Sequence, residues 1–321
     1  MSDPVRILIS DPLDPETVER FSSSGDVEVV VQTGIDPAEL PAVVRQYHGM
    51  VVRSGTRVTA EALADPGLLR VIGRAGSGVD NIDLDAATAA GVVVMNTPGG
   101  NSVAAAEHTL ALLTSLARHL PQAATDLKAG NWNRKRYMGT EVTGKTLGIV
   151  GLGRVGREVA LRARGMHMEV LGYDPYVSDA VAAELGIAPR TLPDLLAESD
   201  FVTLHLPISG DTRHLIDAAA IAAMKPGARL INCARGGLVD EAALASALES
   251  GHLAGAALDV FEAEPPDPDG LVGMPGVIAT PHLGASTREA QIRVAAEICE
   301  KVKNYLLDGT ARDAVNPVPK G

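Results

Sequence analysis

Short runs of apolar and β-branched residues alternate along the chain with Ala- and Leu-rich stretches whose apolar positions recur at helical spacing. This alternation is typical of βαβ units, in which helices connect parallel strands. Two series of strands are predicted, at residues 5–10, 27–32, 50–53, 69–74 and 92–96, and then at 146–150, 168–173, 201–206, 229–233, 256–260 and 277–280. Each series is long enough for one doubly wound sheet, so we predict an α/β fold with two parallel-sheet domains.

The helical stretches between and after the two series define the domain organisation. A long one, residues 102–130, separates the series, and Pro121 is predicted to end or kink it. The last one, residues 286–307, has no strand of its own in the second series, so we expect it to pack on the first domain. The predicted organisation is a discontinuous domain of residues 1–98 and 287–321, with a second domain of residues 99–286 inserted in it.

Composition and charge narrow the class of protein. The chain has 321 residues and a formal net charge of −12, which argues against nucleic acid and anionic membranes as partners. No apolar run approaches the roughly 18 residues of a membrane span, and the N-terminus does not resemble a secretory signal. Because there are only 2 cysteines, we expect a reduced, cytoplasmic protein. An anionic ligand would have to bind at a local cluster of cations.

A glycine-rich motif, GLGRVG at residues 151–156, follows a buried-strand pattern and precedes a helical one. In this context Gly151 permits a tight turn, Gly153 lets a pyrophosphate approach the backbone, and Gly156 lets helix and strand pack closely. Asp174 ends the next predicted strand, at the roughly 20-residue distance expected for a carboxylate that binds adenosine ribose hydroxyls. Since a carboxylate repels a 2′-phosphate, NAD is favoured over NADP. The inserted domain is therefore predicted to be a Rossmann domain.

Three charged residues follow later strands of the second series: Arg235, Glu264 and His282. Ligands of open parallel sheets bind beyond the carboxyl ends of the strands, which makes these side chains candidates for catalysis. Oxidation of a 2-hydroxy acid needs a base, for which histidine is suited, and a cation that grips the carboxylate, for which arginine is suited. The spacing of these residues in the sequence does not show that they lie in one site. It also leaves Glu262 as a candidate equal to Glu264 for the carboxylate that pairs with the histidine.

The blocks NCARGGLVDEAAL, GAALDVFEAEPP and TPHLGASTREAQ resemble the signature blocks of the D-isomer-specific 2-hydroxyacid dehydrogenases. The resemblance runs from about residue 51 to about residue 291. It matches the catalytic arginine, glutamate and histidine of the family to Arg235, Glu264 and His282, and thereby selects Glu264 over Glu262. GRAGSGVDNIDLDAAT and VMNTPGGNSVAAAEHT are similar in particular to the branch of the family that oxidises D-3-phosphoglycerate.

The resemblance also implies a set of cofactor contacts and no metal. NAD would contact Gly151, Gly153, Arg154, Val155, Gly156, Asp174, Leu206, Pro207, Cys233, Ala234, Arg235, Asp259, His282, Gly284, Ala285 and Ser77. Ser77 stands where the phosphoglycerate enzymes often have threonine. Leu206 stands where some relatives have threonine, so a contact at this position would have to be made by the backbone.

The first domain, flavodoxin-like by resemblance, is expected to hold the far end of a phosphorylated 2-hydroxy acid. Its RAGSGVD segment, residues 74–80, offers a run of backbone amides suited to a carboxylate. In similar enzymes the NRKRY segment, residues 133–137, reaches the active site of a neighbouring subunit, although charge pattern alone leaves it open as a solvated linker. The substrate-binding residues predicted are Arg53, Ser54, Arg74, Gly76, Ser77, Gly78, Val79, Arg134 and Arg235.

The expected reaction is NAD-dependent oxidation of D-3-phosphoglycerate to 3-phosphohydroxypyruvate, the first step of phosphorylated serine biosynthesis. A homodimer built on the helices of residues 102–130 is expected, with a tetramer left open. Many members of this branch continue into C-terminal domains that bind serine; this chain stops after NPVPKG, so no such regulatory module is expected.

Two alternatives remain. A glyoxylate or hydroxypyruvate reductase, or another D-2-hydroxyacid dehydrogenase, would share the catalytic three and differ in the distal pocket. An NAD-sensing corepressor is less favoured, because the catalytic set is complete and long disordered tails are lacking. Formate dehydrogenases of this fold have glutamine in the position of Glu264, so the sequence argues against them.

Overall fold

The computed structural model describes residues 4–23, 25 and 27–318. The chain divides into two compact units, the first formed by residues 1–101 and 285–321 and the second by residues 102–284. The predicted first domain also includes residues 1–3, 24, 26 and 319–321, which lie outside the described residues. Within the described ranges, none of the helices combines the length and the apolar character that a membrane crossing requires.

The first unit contains one parallel sheet of five strands in the order β2-β1-β3-β4-β5. Its strands are β1 (Arg6–Ile9), β2 (Glu28–Val31), β3 (Gly49–Val52), β4 (Val71–Arg74) and β5 (Val93–Asn96). Its helices are α1 (Pro15–Ser22), α2 (Leu40–Val44), α3 (Ala60–Leu63), α4 (Leu84–Ala89) and, numbered in chain order, α12 (Arg288–Asp308). This strand order is that of flavodoxin-like folds.

Apart from the edge strand β2, the strands of this sheet are buried on both faces, which is why they are apolar at successive positions. Leu8, Met50 and Ile72 lie in the core on one face. Ile7 and Val51 lie on the other face, in the core to which α12 contributes. The final helix therefore packs on the sheet of the first unit.

The second unit contains one parallel sheet of seven strands in the order β12-β11-β10-β9-β6-β7-β8. Its strands are β6 (Thr146–Val150), β7 (Glu169–Tyr173), β8 (Ala188–Pro189), β9 (Phe201–Leu204), β10 (Arg229–Asn232), β11 (Gly255–Leu258) and β12 (Val277–Ala279). Its helices are α5 (Ser102–Arg118), α6 (Leu120–Lys128), α7 (Arg154–Gly165), α8 (Asp179–Glu184), α9 (Leu192–Glu198), α10 (Ala218–Ala223) and α11 (Glu241–Glu249). The six strands from β8 across to β11 reproduce the Rossmann order 3-2-1-4-5-6, with β12 added at one edge. The predicted α/β fold with two parallel sheets is confirmed.

Two local features differ from the sequence prediction. Strand β8 has only two residues, too few to give a hydrophobic pattern. The long helix ends at Arg118 and not at Pro121, because His119 adopts a left-handed conformation with φ 53°. Pro121 lies in the first turn of α6, where its missing N–H costs no hydrogen bond.

Candidate active site

The glycine loop between β6 and α7 has the geometry of an anion site. Gly151 has φ 98°, and a Cβ there would lie 2.6 Å from the carbonyl oxygen of His205. A Cβ on Gly156 would collide with the carbonyl oxygen of Gly151. Gly153 is the N-cap of α7, and apart from Gly153 and its two chain neighbours no described residue has a heavy atom within 4 Å of the position that its Cβ would take. The first-turn amides of α7 are therefore accessible to a phosphate.

Asp174 is fixed beside this loop at the end of β7. Its Oδ2 accepts a hydrogen bond from the amide of Leu152 at 2.8 Å, and its Oδ1 accepts one from the amide of Tyr176 at 2.9 Å. Strands β6 and β7 are neighbours, so the glycine loop and the carboxylate leave the same edge of the sheet. In the loop itself, Arg154 is exposed and the side chain of Val155 packs against the core. This arrangement suits the pyrophosphate and ribose of a dinucleotide.

The loops after β11 and β12 bring a histidine and a glutamate together. Nδ1 of His282 lies 2.9 Å from Oε2 of Glu264, and Oε1 of Glu264 accepts a hydrogen bond from the amide of Phe261 at 3.3 Å. The side chains of His282 and Glu264 are 51% and 41% exposed. Because Nδ1 faces the carboxylate, Nε2 is the ring nitrogen that can exchange a proton with a substrate hydroxyl.

The second glutamate of this loop has a different partner. Oε1 of Glu262 lies 2.9 Å from Nε2 of His214, and the amide of Glu262 donates to Oε1 of Glu241 at 2.7 Å. Burial is the largest influence on Glu241, and with the nearby Glu262 it raises the pKa of that carboxyl. Glu264, and not Glu262, is therefore the glutamate beside His282.

Arg235 opens the short turn that follows β10. Its NH1 donates to the carbonyl of Ala234 at 2.7 Å, and its own carbonyl accepts from Nδ2 of Asn232 at 2.8 Å. The next residue, Gly236, packs directly against the carbonyl of Phe261, and a Cβ on Gly236 would overlap it. The loop of Arg235 and the loop of Glu264 are thus in van der Waals contact.

The backbone of the histidine loop is held by a fully buried aspartate, Asp259. The carbonyl of Asp259 accepts from the amide of His282 at 2.9 Å. The carboxylate accepts from the amides of Leu283 and Gly284, both at 2.7 Å. His282 itself has φ 54°, an uncommon conformation that these bonds stabilise.

Asp259 is ionised in spite of its burial. Burial alone would raise its pKa, but hydrogen bonds from His108, Thr280 and the amides of Leu283 and Gly284 outweigh burial and lower the pKa. The oxygen Oδ1 accepts from Oγ1 of Thr280 at 2.6 Å and lies 3.2 Å from Nε2 of His108. The carboxylate beneath the loop of His282 is therefore negatively charged at neutral pH.

The other residues predicted to contact the cofactor are also at strand ends. Leu206 and Pro207 follow β9, and Leu206 is half-buried next to Gly151. Cys233 and Ala234 follow β10, where burial raises the pKa of the Cys233 thiol to about 12, so this thiol is protonated at neutral pH. Gly284 is the last residue of the second unit, whereas Ala285 and Ser77 belong to the first unit.

In the first unit, predicted substrate residues follow the adjacent strands β3 and β4. The amide of Arg53 donates to Oδ2 of the buried Asp11 at 2.6 Å, and its NH1 donates to the carbonyl of Pro12 at 3.1 Å. Ser54 is exposed. NH1 of Arg74 donates to the carbonyl of Ala75 at 3.1 Å.

The loop that follows β4 depends on a glycine. Gly76 has φ 139°, and the guanidinium of Arg74 occupies the position that a Cβ on Gly76 would take. Residues 77–79 are half-buried. Among the described residues, the amides of Ser77, Gly78 and Val79 donate no hydrogen bond, so three successive donors are available to an anion.

Arg134 lies in the second unit on a 3-10 turn, Arg134–Tyr137, that follows α6. Asp126 of α6 holds this segment, because its carboxylate accepts from Nδ2 of Asn131 at 3.1 Å and from Nδ2 of Asn133 at 3.3 Å. Trp132 beside it is 75% exposed. Within the second unit, this basic turn is a separate segment from the loops that carry the three candidate catalytic residues.

A family model described as the NAD-binding domain of D-isomer specific 2-hydroxyacid dehydrogenases matches residues 110–284. The chain belongs to this family. The predicted family and the predicted NAD cofactor are confirmed.

Several similar proteins carry more specific names. The D-3-phosphoglycerate dehydrogenase of Bacillus subtilis is 47% identical over 311 residues, which cover 97% of this chain and 59% of that protein. The rat enzyme of the same name is 49% identical over 308 residues, which cover 95% of this chain and 58% of that protein. The chain therefore spans less than two thirds of the length of these relatives. The TT0316 protein of Thermus thermophilus has a similar structure, with a TM-score of 0.88 and 35% identity over 97% of this chain and 100% of that one.

Sequence reasoning missed the residues that support the loops of the candidate catalytic residues. His108, on α5, and Thr280 support Asp259, and His214 binds Glu262. The positions in AEHT and ATPH gave no signal of these contacts, because the partners are far apart in sequence and the residue types are common in loops and helices.

Proposed function

We propose that the protein is an NAD-dependent dehydrogenase that oxidises D-3-phosphoglycerate to 3-phosphohydroxypyruvate. The observation that carries the proposal is the 2.9 Å contact between His282 and Glu264, in the sheet whose glycine loop suits a dinucleotide. The relatives named D-3-phosphoglycerate dehydrogenase, at 47% and 49% identity, support the choice of substrate. In this proposal the second unit binds NAD and the first unit binds the substrate.

The residues of the second unit fit the proposed cofactor. The open face of Gly153 and the first-turn amides of α7 would hold the pyrophosphate, and Asp174 would bind the adenosine ribose. Asp259 and the amide-rich turn at Gly284 lie at the other end of the same sheet edge, where we place the nicotinamide end. NAD bound there would accept a hydride from C2 of the hydroxy acid.

His282 and Glu264 are proposed to move the proton of the reaction. Nε2 of His282 takes the proton of the C2 hydroxyl, so that the C–O bond becomes a carbonyl as the hydride leaves C2. Glu264 at Nδ1 fixes the tautomer of the imidazole and stabilises the imidazolium that forms. Arg235 binds the substrate carboxylate and keeps C2 and its hydroxyl near His282.

The remaining predicted residues are proposed to bind the anionic ends of the substrate. The available amides of Ser77, Gly78 and Val79 would hold the carboxylate. Cations at Arg53, Arg74 and Arg134, with Ser54, would attract the phosphate, which explains basic residues in a chain with a net charge of −12. We also propose a cytoplasmic homodimer built on the α5 and α6 segment.

Product trapping tests the proposal directly. The protein is incubated with NAD and D-3-phosphoglycerate, a hydrazine is added to capture the keto acid, and NADH is followed by absorbance. We expect NADH to form in equal amounts to a trapped phosphorylated keto acid. Absence of NADH with D-3-phosphoglycerate, while another D-2-hydroxy acid is oxidised, would reject this substrate and keep the dehydrogenase chemistry.

A further inference from the structure

The segment NTPGGN, residues 96–101, begins at the last residue of β5 and has a structural role that neither the cofactor site nor the His282–Glu264 pair explains. Its second residue, Thr97, is fully buried. Oγ1 of Thr97 accepts a hydrogen bond from the amide of Gly76 at 2.8 Å, and the amide of Thr97 donates to the carbonyl of Gly76 at 3.0 Å. One threonine thus binds both polar main-chain groups of the first glycine in the anion loop.

The neighbouring residue, Asn96, binds the next position of the same loop. Nδ2 of Asn96 donates to the carbonyl of Ser77 at 2.6 Å. Oγ of Ser77 donates to Oδ1 of Asn101 at 2.8 Å. These bonds occupy the polar groups of Gly76 and Ser77 that face the segment, and they fix the backbone whose amides are available at residues 77–79.

Asn96 is in turn held by a buried lysine of α12. Nζ of Lys301 donates to the carbonyl of Asn96 at 2.9 Å, to Oε1 of Glu297 at 2.6 Å and to Oδ2 of Asp313 at 2.7 Å. The side chain of Lys301 is only 7% exposed. A buried ammonium group is stable only when it is well paired, and three acceptors satisfy its three protons. The network is therefore a rigid support under the loop.

We propose that Thr97 and Asn96 are positioning residues that set the Gly76–Ser77 backbone for the carboxylate of the hydroxy acid, and that Lys301 holds Asn96 in place. The proposal rests on the assignment of residues 76–79 to the substrate carboxylate under the proposed function. Recognition by successive backbone amides requires a placement within about 0.5 Å, which a loop without support does not keep. Loss of the Thr97 acceptor also leaves the amide of Gly76 buried without its partner.

Thr97→Val tests this role, because valine keeps the shape of threonine and removes the acceptor. Thr97→Ser is the variant that keeps the acceptor. Thr17→Val is the matched control, since Thr17 is a buried threonine of the same unit whose Oγ1 donates to Asp14. We expect Thr97→Val to raise the KM for the hydroxy acid by about 10-fold, as for loss of one buried hydrogen bond, with the Kd for NAD unchanged. Thr97→Ser and Thr17→Val should keep the KM near that of the wild type.

Hydrogen exchange gives a readout that does not depend on the substrate. Peptides that cover residues 74–80 should exchange faster in Thr97→Val than in the wild type or in Thr17→Val. Faster exchange with an unchanged KM in Thr97→Val would overturn the positioning role. A KM in Thr97→Ser as high as that in Thr97→Val would overturn it too. The KM is measured with whichever D-2-hydroxy acid the wild type oxidises, so an error in the proposed substrate appears in the wild type and an error in this proposal appears in the variants.

Lys301→Met tests whether Lys301 holds Asn96 in place. Lys303→Met, on the same helix, is the control. The control residue, whose side chain is 13% exposed, pairs with Glu300 and, in the described part of the chain, not with the Asn96 segment. We expect Lys301→Met to raise the KM and the double variant with Thr97→Val to be less than additive, since both act on one loop. Additive effects of the two substitutions on the KM would contradict the proposal that Lys301 and Thr97 act on the same loop. If Lys301→Met does not fold, the Thr97 variants decide the proposal by themselves.

Discussion

Oε2 of Glu264 lies 2.9 Å from Nδ1 of His282, in a loop whose other glutamate is occupied elsewhere. That glutamate, Glu262, binds His214. The two acids are two residues apart and chemically identical, and the backbone of the loop between β11 and β12 directs them to different histidines. The pairing gives His282 a fixed tautomer and a nearby negative charge, which are the requirements of a general base that becomes a cation during the reaction.

The two glutamates provide a matched pair of variants. We expect Glu264→Gln to lower kcat by about 10-fold or more, because the imidazolium of His282 loses its counter-charge. Glu262→Gln should change kcat by less than about 2-fold, since the amide can still bind His214 and lies outside the reaction. Steady-state kinetics with saturating NAD measure both. Equal losses for the two variants would contradict the assignment of Glu264.

His282 should be needed for turnover and not for binding of the cofactor. We expect His282→Ala to lower kcat by about 100-fold or more, the range for loss of a general base. Affinity for NADH, measured by fluorescence titration, should remain near that of the wild type. His252→Ala is the control, because Nε2 of His252 bonds only to the carbonyl of Ile221 in the described structure. Wild-type turnover in His282→Ala would remove the histidine from the mechanism.

Asp174 should decide the choice between the two nicotinamide cofactors. We expect Asp174→Ala to weaken NAD binding by about 10-fold or more, as for the loss of hydrogen bonds to a charged group, and to reduce the discrimination against NADP. Asp179→Ala, in the first turn of α8, removes a neighbouring acid and should leave both affinities unchanged. The Kd values for NAD and NADP measured by calorimetry give the result. An unchanged NAD to NADP ratio in Asp174→Ala would contradict the ribose contact.

The depressed pKa of Asp259 links stability to pH. Since the folded pKa lies below the unfolded value of about 3.9, the ionised carboxylate contributes stability above that pH and loses the contribution as pH falls through the folded pKa. Wild type should therefore unfold at a higher temperature than Asp259→Asn at neutral pH, and the difference should narrow below about pH 4. Thermal unfolding of both proteins over a pH series measures this difference. A gap that stays constant down to strongly acidic pH would mean that the charge of Asp259 is not responsible.

Arg134 should bind the phosphate of the substrate and not its hydroxy-acid end. We expect Arg134→Ala to raise the KM for D-3-phosphoglycerate by about 10-fold, the range for loss of a charge-assisted hydrogen bond, and to leave the KM for an unphosphorylated D-hydroxy acid almost unchanged. The comparison of two substrates in one variant serves as its own control. A similar increase for both substrates would show that the arginine supports the fold or the assembly instead.

The sequence predicts the features whose residues lie close together along the chain, and it does not predict contacts between distant residues. The glycine loop and Asp174 are neighbours in a single βαβ unit, so strand, turn, helix and acid can be read in order. The bond between His108 and Asp259 joins residues 151 positions apart, and that between His214 and Glu262 joins residues 48 positions apart. No periodicity encodes such contacts, because they arise only when the sheet brings its loops together. The left-handed His119, which ends the long helix early, likewise has no marker in the pattern.

We propose that the His282–Glu264 pair and the basic residues select a phosphorylated 2-hydroxy acid. The most direct measurement is the ratio of kcat/KM with NAD for D-3-phosphoglycerate and for D-glycerate, which differs only by the phosphate, with glyoxylate reduction by NADH measured alongside. We expect a preference for D-3-phosphoglycerate of about 100-fold or more, as for two or more charge-assisted hydrogen bonds to the phosphate. Equal or higher kcat/KM for D-glycerate or glyoxylate would contradict it.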